Sequence, residues 1–283
     1  MSVKTIAVIG AGTMGRGITE IAAVRGISVH AAEPSAEQRE IAQAQIEASL
    51  VKAIKRGKID LNDPADALAN IHWHADLEGA VENAEFVIEA VSEIQELKAG
   101  IFQQLDSIVR PEVILASNTS SISITRLAAV TQRPEKVVGM HFFNPVPIMQ
   151  PVEIVRGLRT SEETVEQTKQ LAEQMGKQAF AVADAPGFVV NRVLMPMINE
   201  AAFTLQENVA DAATVDSLMK LGCNHPMGPL QLADLIGLDV CLSIMQVLFQ
   251  EIGDPKFRPC PLLVRMVDAG QLGRKTGQGF YAY

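Results

Sequence analysis

The chain reads as an α/β protein in which a mostly parallel sheet, with helices on both faces, precedes an all-helical domain. Three observations predict this. Short β-branched apolar runs alternate with helical or charged segments, a glycine-rich turn follows the first run, and the periodicity becomes helical beyond Asp184-Ala-Pro-Gly187. At 283 residues the chain also exceeds what one hydrophobic core usually supports, so two domains are expected, 1–185 and 186–283.

The elements follow in order. Lys4 to Gly10 is a short apolar run, Ile18 to Val24 resumes at helical spacing, and Ile27 to Ala32 turns extended again, which is a β-α-β unit. Phe86 to Ala90, Val113 to Ser117 and Val137 to His141 are further candidates for buried strands. Extended segments around Pro151 to Val155 and Gln178 to Val182 lengthen the sheet as far as Asp184. Beyond the turn, Val190, Leu194, Met197, Ile198, Ala201 and Leu205 recur at helical spacing. Breaks follow at Pro226 to Pro229, Gly237 and Pro255 to Pro261.

Composition narrows the function. Hydrophobic residues make up 48%, without the run of about 18 that a membrane span needs, so no membrane is expected as a partner. Twenty-four basic against 33 acidic side chains give a net charge of -9, which argues against nucleic acid but leaves small anions open. Cys223, Cys241 and Cys260 are too few and scattered for a disulfide framework, and no pair has zinc spacing. His72 and His74 share a strand face without a third ligand in the sequence pattern, so no metal is expected. Met1-Ser-Val-Lys4 passes directly into a strand pattern with no leader sequence, and the expected location is the cytoplasm.

Gly10-Ala-Gly12-Thr13-Met14-Gly15 lies between the first run and the first helix. The first glycine permits the tight turn, the second lets the backbone approach a pyrophosphate, and the third lets helix and strand pack closely. Glu33 ends the second run, where a carboxylate would accept from an adenosine ribose. This is a Rossmann-like dinucleotide site. At about 4 Å a 2′-phosphate would cost about 4 kcal/mol against Glu33 at an effective dielectric of about 20, so NAD is favoured over NADP. Arg39 stands close enough in sequence to soften that preference.

His141 and Glu153 bracket a segment broken by Pro145, Pro147 and Pro151. An imidazole oriented by a carboxylate accepts and returns a proton near neutral pH. The two must meet by folding, because no helix spans them. A surface loop with an incidental His and Glu is the other reading of this segment alone.

Together these residues resemble the 3-hydroxyacyl-CoA dehydrogenases, most closely the short bacterial 3-hydroxybutyryl-CoA type. The resemblance runs the whole length and rests on Gly10 to Gly15, Ala116-Ser-Asn-Thr-Ser-Ser121, His141-Phe-Phe-Asn-Pro145, Pro186-Gly-Phe-Val-Val-Asn-Arg192, Pro226-Met-Gly-Pro-Leu230 and Gly273 to Tyr281. It implies NAD-dependent interconversion of L-(S)-3-hydroxyacyl-CoA and 3-ketoacyl-CoA, with short chains favoured. His141 would be the general acid/base, Glu153 its partner, and Ser120 and Asn191 would hydrogen-bond the reacting oxygen. Cofactor contacts would come from Gly10, Gly12, Thr13, Met14, Gly15 and Glu33, together with Glu93, Lys98, Asn118, Ser120, Asn144 and Lys275. Ser49, Lys52 and Arg56 would grip coenzyme A. The helical domain would contact substrate and form a homodimer.

Several of these residues have plainer readings. Ser120 and Asn191 stand where helix N-caps are common, and Asn144 before a proline is a turn former. Glu93, Lys98 and Lys275 would pass as solvated charges, and the Ser49, Lys52 and Arg56 region as a basic surface turn at Lys55-Arg-Gly-Lys58. Gln150-Pro151 departs from the family's usual lysine and leucine, which puts the loop carrying Glu153 in question. Two other functions compete: a dehydrogenase of a free hydroxy acid or sugar acid, and a non-catalytic NAD-binding protein. The second has no use for a base.

Overall fold

A computed structural model describes residues 2–283. It divides into two compact units, the first ending at Asp184 and the second spanning Ala185–Tyr283. The first holds strands β1 (Thr5–Ile9), β2 (Ser28–Ala32), β3 (Ile71–His74), β4 (Phe86–Glu89), β5 (Ile114–Ser117), β6 (Val137–Phe142), β7 (Pro151–Arg156) and β8 (Gln178–Ala183). They form one sheet in the order β3-β2-β1-β4-β5-β6-β7-β8. The first six are mutually parallel, and β7 and β8 run the other way. Every residue of β4, β5 and β6 is buried, as continuous apolar runs covered on both faces require.

Helices α1 (Thr13–Val24), α2 (Ala36–Lys55), α3 (Pro64–Leu68), α4 (Leu77–Val81), α5 (Gln95–Ile108), α6 (Ile124–Ala128) and α7 (Glu162–Gln174) supply that cover. Their starts follow side-chain chemistry. Ser35, Asp63, Asp76, Ser123 and Ser161 each cap one, and the Ser35 hydroxyl accepts from Gln38 N at 3.2 Å. Ile6, Val8, Ile18, Val29, Leu50 and Ile88 are wholly buried in a core between sheet and helices. Each such side chain contributes about 1.5–3 kcal/mol of transfer free energy. Because the chain goes from β1 outward to β2 and β3 before crossing to β4, the strand order reverses beside β1. The crevice beyond the strand ends at such a reversal is where α/β sheets bind ligands.

The second unit is helical: α8 (Val190–Gln206), α9 (Ala212–Gly222), α10 (Pro229–Ile236), α11 (Leu238–Ile252) and α12 (Pro261–Asp268). Met195, Ala202, Leu230, Ala233, Met245 and Leu263 meet in its core. Pro229 and Pro261 open their helices at positions whose amide has no partner to lose. Gly237 joins α10 to α11 at φ +107°, a region other residues avoid. No single helix among the described residues is long and apolar enough to cross a membrane. The pair α10 and α11 qualifies only by joint length and composition, across a 99° bend.

The C-terminal segment is fastened by two buried carboxylates. Asp234 accepts from Phe280 N and Tyr281 N, both at 2.9 Å, and from the Tyr283 hydroxyl at 3.2 Å. Asp216 accepts from the Tyr281 hydroxyl at 2.7 Å. Burial, then that bond to a carboxylate, pushes the Tyr281 phenol well above its ordinary range.

Candidate active site

The glycine turn has the shape its residues suggest. Gly10 adopts φ +103°, and a Cβ there would lie 2.9 Å from Ala90 O. A Cβ on Gly15 would fall 1.9 Å from Gly10 O, so helix and turn touch only because that residue is bare. At Gly12 a Cβ would meet nothing within 4 Å and would stand in open space over the start of α1. That helix has no side-chain cap and no acidic residue in its first turn. Its first intrahelical bond is Arg16 N to Gly12 O at 3.0 Å, so the amides of Thr13, Met14 and Gly15 precede the ladder. A cradle of amides at a helix N-terminus, with room above the middle glycine, fits a pyrophosphate.

Glu33 follows β2 directly, its own amide donating to His74 O at 3.0 Å. Its carboxylate accepts from Ala11 N at 3.3 Å and Ser35 N at 3.1 Å, which sets it beside the glycine turn. Arg39 Nη1 donates to the backbone oxygens of Glu33 at 2.5 Å and Pro34 at 3.0 Å. The guanidinium is therefore bound to main-chain carbonyls rather than to the Glu33 carboxylate.

Beyond β4 and β5 lies a network the sequence only half disclosed. Glu89, wholly buried, accepts from Lys98 Nζ, Ser117 Oγ (both 2.6 Å) and Val91 N (2.7 Å). Lys98 is not a solvated charge: it is 1% exposed, and its ammonium also lies 3.4 Å from Glu93. A cation can sit that deep only when a carboxylate and carbonyls surround it, and Val91 O adds a contact at 3.3 Å. Glu93 in turn gathers Thr119 Oγ1 (2.6 Å), Ser120 N (2.7 Å) and Ser121 N (3.0 Å). Ser120 is not the α6 cap, since Ser123 takes that position. Asn118 Oδ1 accepts from Phe142 N at 2.9 Å and ties the end of β5 to that of β6. A glutamate inside the apolar run Phe86 to Glu89 was the available signal for Glu89.

His141 and Glu153 are register partners across β6 and β7, with Nδ1 2.7 Å from Oε2 and both residues 4% exposed. The Phe143 ring packs on the imidazole at 4.7 Å between centroids. Asn144 precedes Pro145 through a cis bond. Gln150-Pro151 leaves the pairing intact: Pro151 opens β7, and Gln150 O accepts from Gln178 N at 2.9 Å.

Ser49, Lys52 and Arg56 line a cavity of about 510 Å³ with Arg25, Lys58, Glu20 and Lys177. Ser49 Oγ donates to Glu20 Oε1 at 2.8 Å. Burial raises the Glu20 carboxyl above its ordinary value, against the Ser49 bond and the nearby charges of Arg16 and Lys177. Burial, then Arg25, lowers the Lys177 ammonium.

The remaining nominated residues belong to the second unit. Asn191 is buried in the first turn of α8, whose cap position is Val189. Lys275 pairs with both Asp239 oxygens, at 2.5 and 2.7 Å. That unit also holds a cleft of about 650 Å³ bordered by Arg192, Phe203, Phe257 and Arg258.

His72 and His74 are joined by His30 of the neighbouring strand, a third histidine that only the register reveals. His30 Nδ1 lies 2.9 Å from His74 Nε2. No group of three His, Cys, Asp or Glu among the described residues has the geometry to hold a metal.

The sequence matches the family model described as 3-hydroxyacyl-CoA dehydrogenase, NAD binding domain, over residues 5–185. It matches the corresponding C-terminal domain over residues 187–283. It is similar to a probable 3-hydroxybutyryl-CoA dehydrogenase of Bacillus subtilis, 51% identical over 283 residues, covering 100% of this chain and 98% of that protein. A 3-hydroxybutyryl-CoA dehydrogenase of Bradyrhizobium diazoefficiens is 48% identical, covering 99% of this chain and 96% of its own. Among solved structures, (S)-3-hydroxybutyryl-CoA dehydrogenase from Ralstonia eutropha superposes with a TM-score of 0.96 at 50% identity, covering 100% of this chain and 99% of that one.

Proposed function

The chain belongs to the 3-hydroxyacyl-CoA dehydrogenase family, and we propose that it interconverts L-(S)-3-hydroxyacyl-CoA and 3-ketoacyl-CoA with NAD. Short chains are its substrates, the pair being 3-hydroxybutyryl-CoA and acetoacetyl-CoA. The observation that carries this reading is the buried His141–Glu153 pair, in the same unit as a glycine turn shaped for a dinucleotide.

Gly10 to Gly15 hold the pyrophosphate of NAD through the first amides of α1, and Glu33 takes the adenosine ribose hydroxyls. When bound, NAD supplies the nicotinamide that receives the hydride from C3. The chain itself handles the proton. Nδ1 of His141 is engaged by Glu153, so Nε2 faces the substrate and takes the 3-hydroxyl proton; in the other direction it returns that proton to the oxygen. Glu153 fixes the tautomer and stabilises the imidazolium that forms. Ser120 holds the reacting oxygen, where a donor stabilises charge that develops in the transition state. Glu93 sets the Ser120 backbone by accepting its amide, and Lys98 with Glu89 sets Glu93.

Ser49, Lys52 and Arg56 take the coenzyme A tail. On a protein of net charge -9, five cations against one carboxylate around a single cavity are a local reversal of sign that suits phosphates. The second unit supplies the contact between two copies. Leu221, Val209 and Val193 are 85%, 71% and 69% exposed there, which supports a homodimer measurable by sedimentation. The cytoplasm is the proposed location, consistent with three free cysteines.

The deciding assay follows NADH oxidation with acetoacetyl-CoA, longer 3-ketoacyl-CoAs and free acetoacetate. Turnover is expected with the thioesters and fastest with acetoacetyl-CoA. Turnover of free acetoacetate alone, or of no thioester, overturns the reading.

A further inference from the structure

The loop from Phe143 to Gln150 has two sides. One end carries Phe143 against the His141 ring, while Pro147, Ile148 and Gln150 form a wall of the cavity that holds Ser49, Lys52 and Arg56. Apolar burial fixes little of it: Val146 is buried, but Ile148 and Met149 are 70% and 38% exposed. Val146 itself settles on α1 where Gly17 is bare, since a Cβ there would lie 2.8 Å from Val146 Cβ. What holds the rest down is Lys177. Its ammonium, on a residue 6% exposed, donates to Val146 O at 2.6 Å and to Met149 O at 2.8 Å. Three donors on one cation suit the closing of a loop onto its own carbonyls.

We propose that Lys177 is a positioning residue for the substrate tail: by binding the carbonyls of Val146 and Met149 it keeps the loop in the wall of the Ser49–Lys52–Arg56 cavity. This rests on the reading of that cavity as the coenzyme A site. Glu20 completes the device. It lines the same cavity, holds Ser49 by a 2.8 Å hydrogen bond and lies within electrostatic reach of Lys177. The clamp and the first tail contact thus share one buried carboxylate. The base is anchored differently, because strand register fixes His141 opposite Glu153 whatever the loop does. Loss of Lys177 therefore weakens capture of the tail and spares the proton and hydride steps.

The test compares wild type, K177M and K177R on acetoacetyl-CoA and on acetoacetyl-N-acetylcysteamine, which carries the same acyl thioester without the nucleotide. K177M is expected to raise KM for acetoacetyl-CoA about tenfold while kcat stays within about twofold, the mark of lost uniform binding. The truncated thioester is expected to change less than about twofold in kcat/KM, and K177R to fall between. Equal losses on both thioesters, or no loss on either, overturn the proposal. If K177M does not fold, K177Q replaces it in the same comparison. If wild type handles the two thioesters equally well, it is the cavity's assignment that fails. The clamp is then judged by amide exchange at Ile148 and Met149, whose N–H groups both donate to Pro145 O at 3.0 Å. Faster exchange in K177M sustains the clamp, and unchanged exchange overturns it.

Discussion

His141 and Glu153 face each other as register partners on antiparallel strands, and their side chains meet 2.7 Å apart in a buried setting. The backbone ladder brings base and carboxylate together, and each prediction about them starts there.

His141→Ala is expected to lower turnover by at least about 10²-fold, the usual contribution of a positioned general acid/base. Glu153→Gln keeps an acceptor for Nδ1 but removes the charge, so turnover falls while NADH affinity holds. Steady-state kinetics beside NADH fluorescence titration separate the two effects. Near-normal turnover in His141→Ala would show that another group is the base.

Glu33 sets cofactor choice. Wild type is expected to have a lower KM for NADH than for NADPH. Glu33→Gln removes the repulsion, about 4 kcal/mol per charge pair at 4 Å before solvent screening, and leaves the bond from Arg39 to the residue 33 carbonyl in place. NADPH use should then rise at least about tenfold relative to NADH, measured as a ratio of kcat/KM.

Lys98→Met strands the Glu89 carboxylate without its cation. Removing one member of a buried pair costs about 3–5 kcal/mol, visible in urea unfolding. Replacing both, as Glu89→Gln with Lys98→Met, should recover part of that loss. A single variant as stable as wild type would show that Glu89 finds other partners.

His30 makes stability depend on acid. Burial, then the charges of His72 and His74, lower its imidazole below the ordinary value of 6.5, with Glu82 acting against them. The folded chain thus binds fewer protons there than the unfolded one. Stability falls as pH drops below about 6.5 and goes on falling toward the lowered folded value. His30→Asn should therefore lose less Tm than wild type between pH 7.5 and 5.5; identical losses would remove His30 from the account.

In the second unit, Asp234 accepts three bonds from the C-terminal segment. Asp234→Ala should destabilise that unit by at least about 2 kcal/mol, since hydrogen bonds to a charged group are worth about 1.5–3 kcal/mol each. Tyr281→Phe, which loses only the hydroxyl bond donated to Asp216, should cost about 1–2 kcal/mol. Urea titration of the variants ranks them, and a reversed order would place the anchor at Tyr281.

How much of this was visible in the sequence depended on whether the cause was local. The central strands were legible because burial on both faces forces unbroken apolar runs, and the glycine turn because its shape needs bare residues at Gly10 and Gly15. Long-range pairings left weaker traces. Lys98 looked solvated because its partner Glu89 lies on another element. His30 joins His72 and His74 only through cross-strand register. Ser120 resembled a cap because Ser121 and Ser123 crowd the same turn, and which serine caps is set by where α6 begins. The loop after His141 gave its residues but not its closure, since the direction of β7 is a property of the whole sheet.

That direction has an evolutionary consequence. Because β7 returns beside β6 and seats Glu153 opposite His141, the proton-handling pair is written into the sheet, and the far end of the loop, Pro147 to Gln150, borders the cavity instead. Changes at Pro147 to Gln150 would reshape the cavity wall for a different carrier while His141 and Glu153 stay in register.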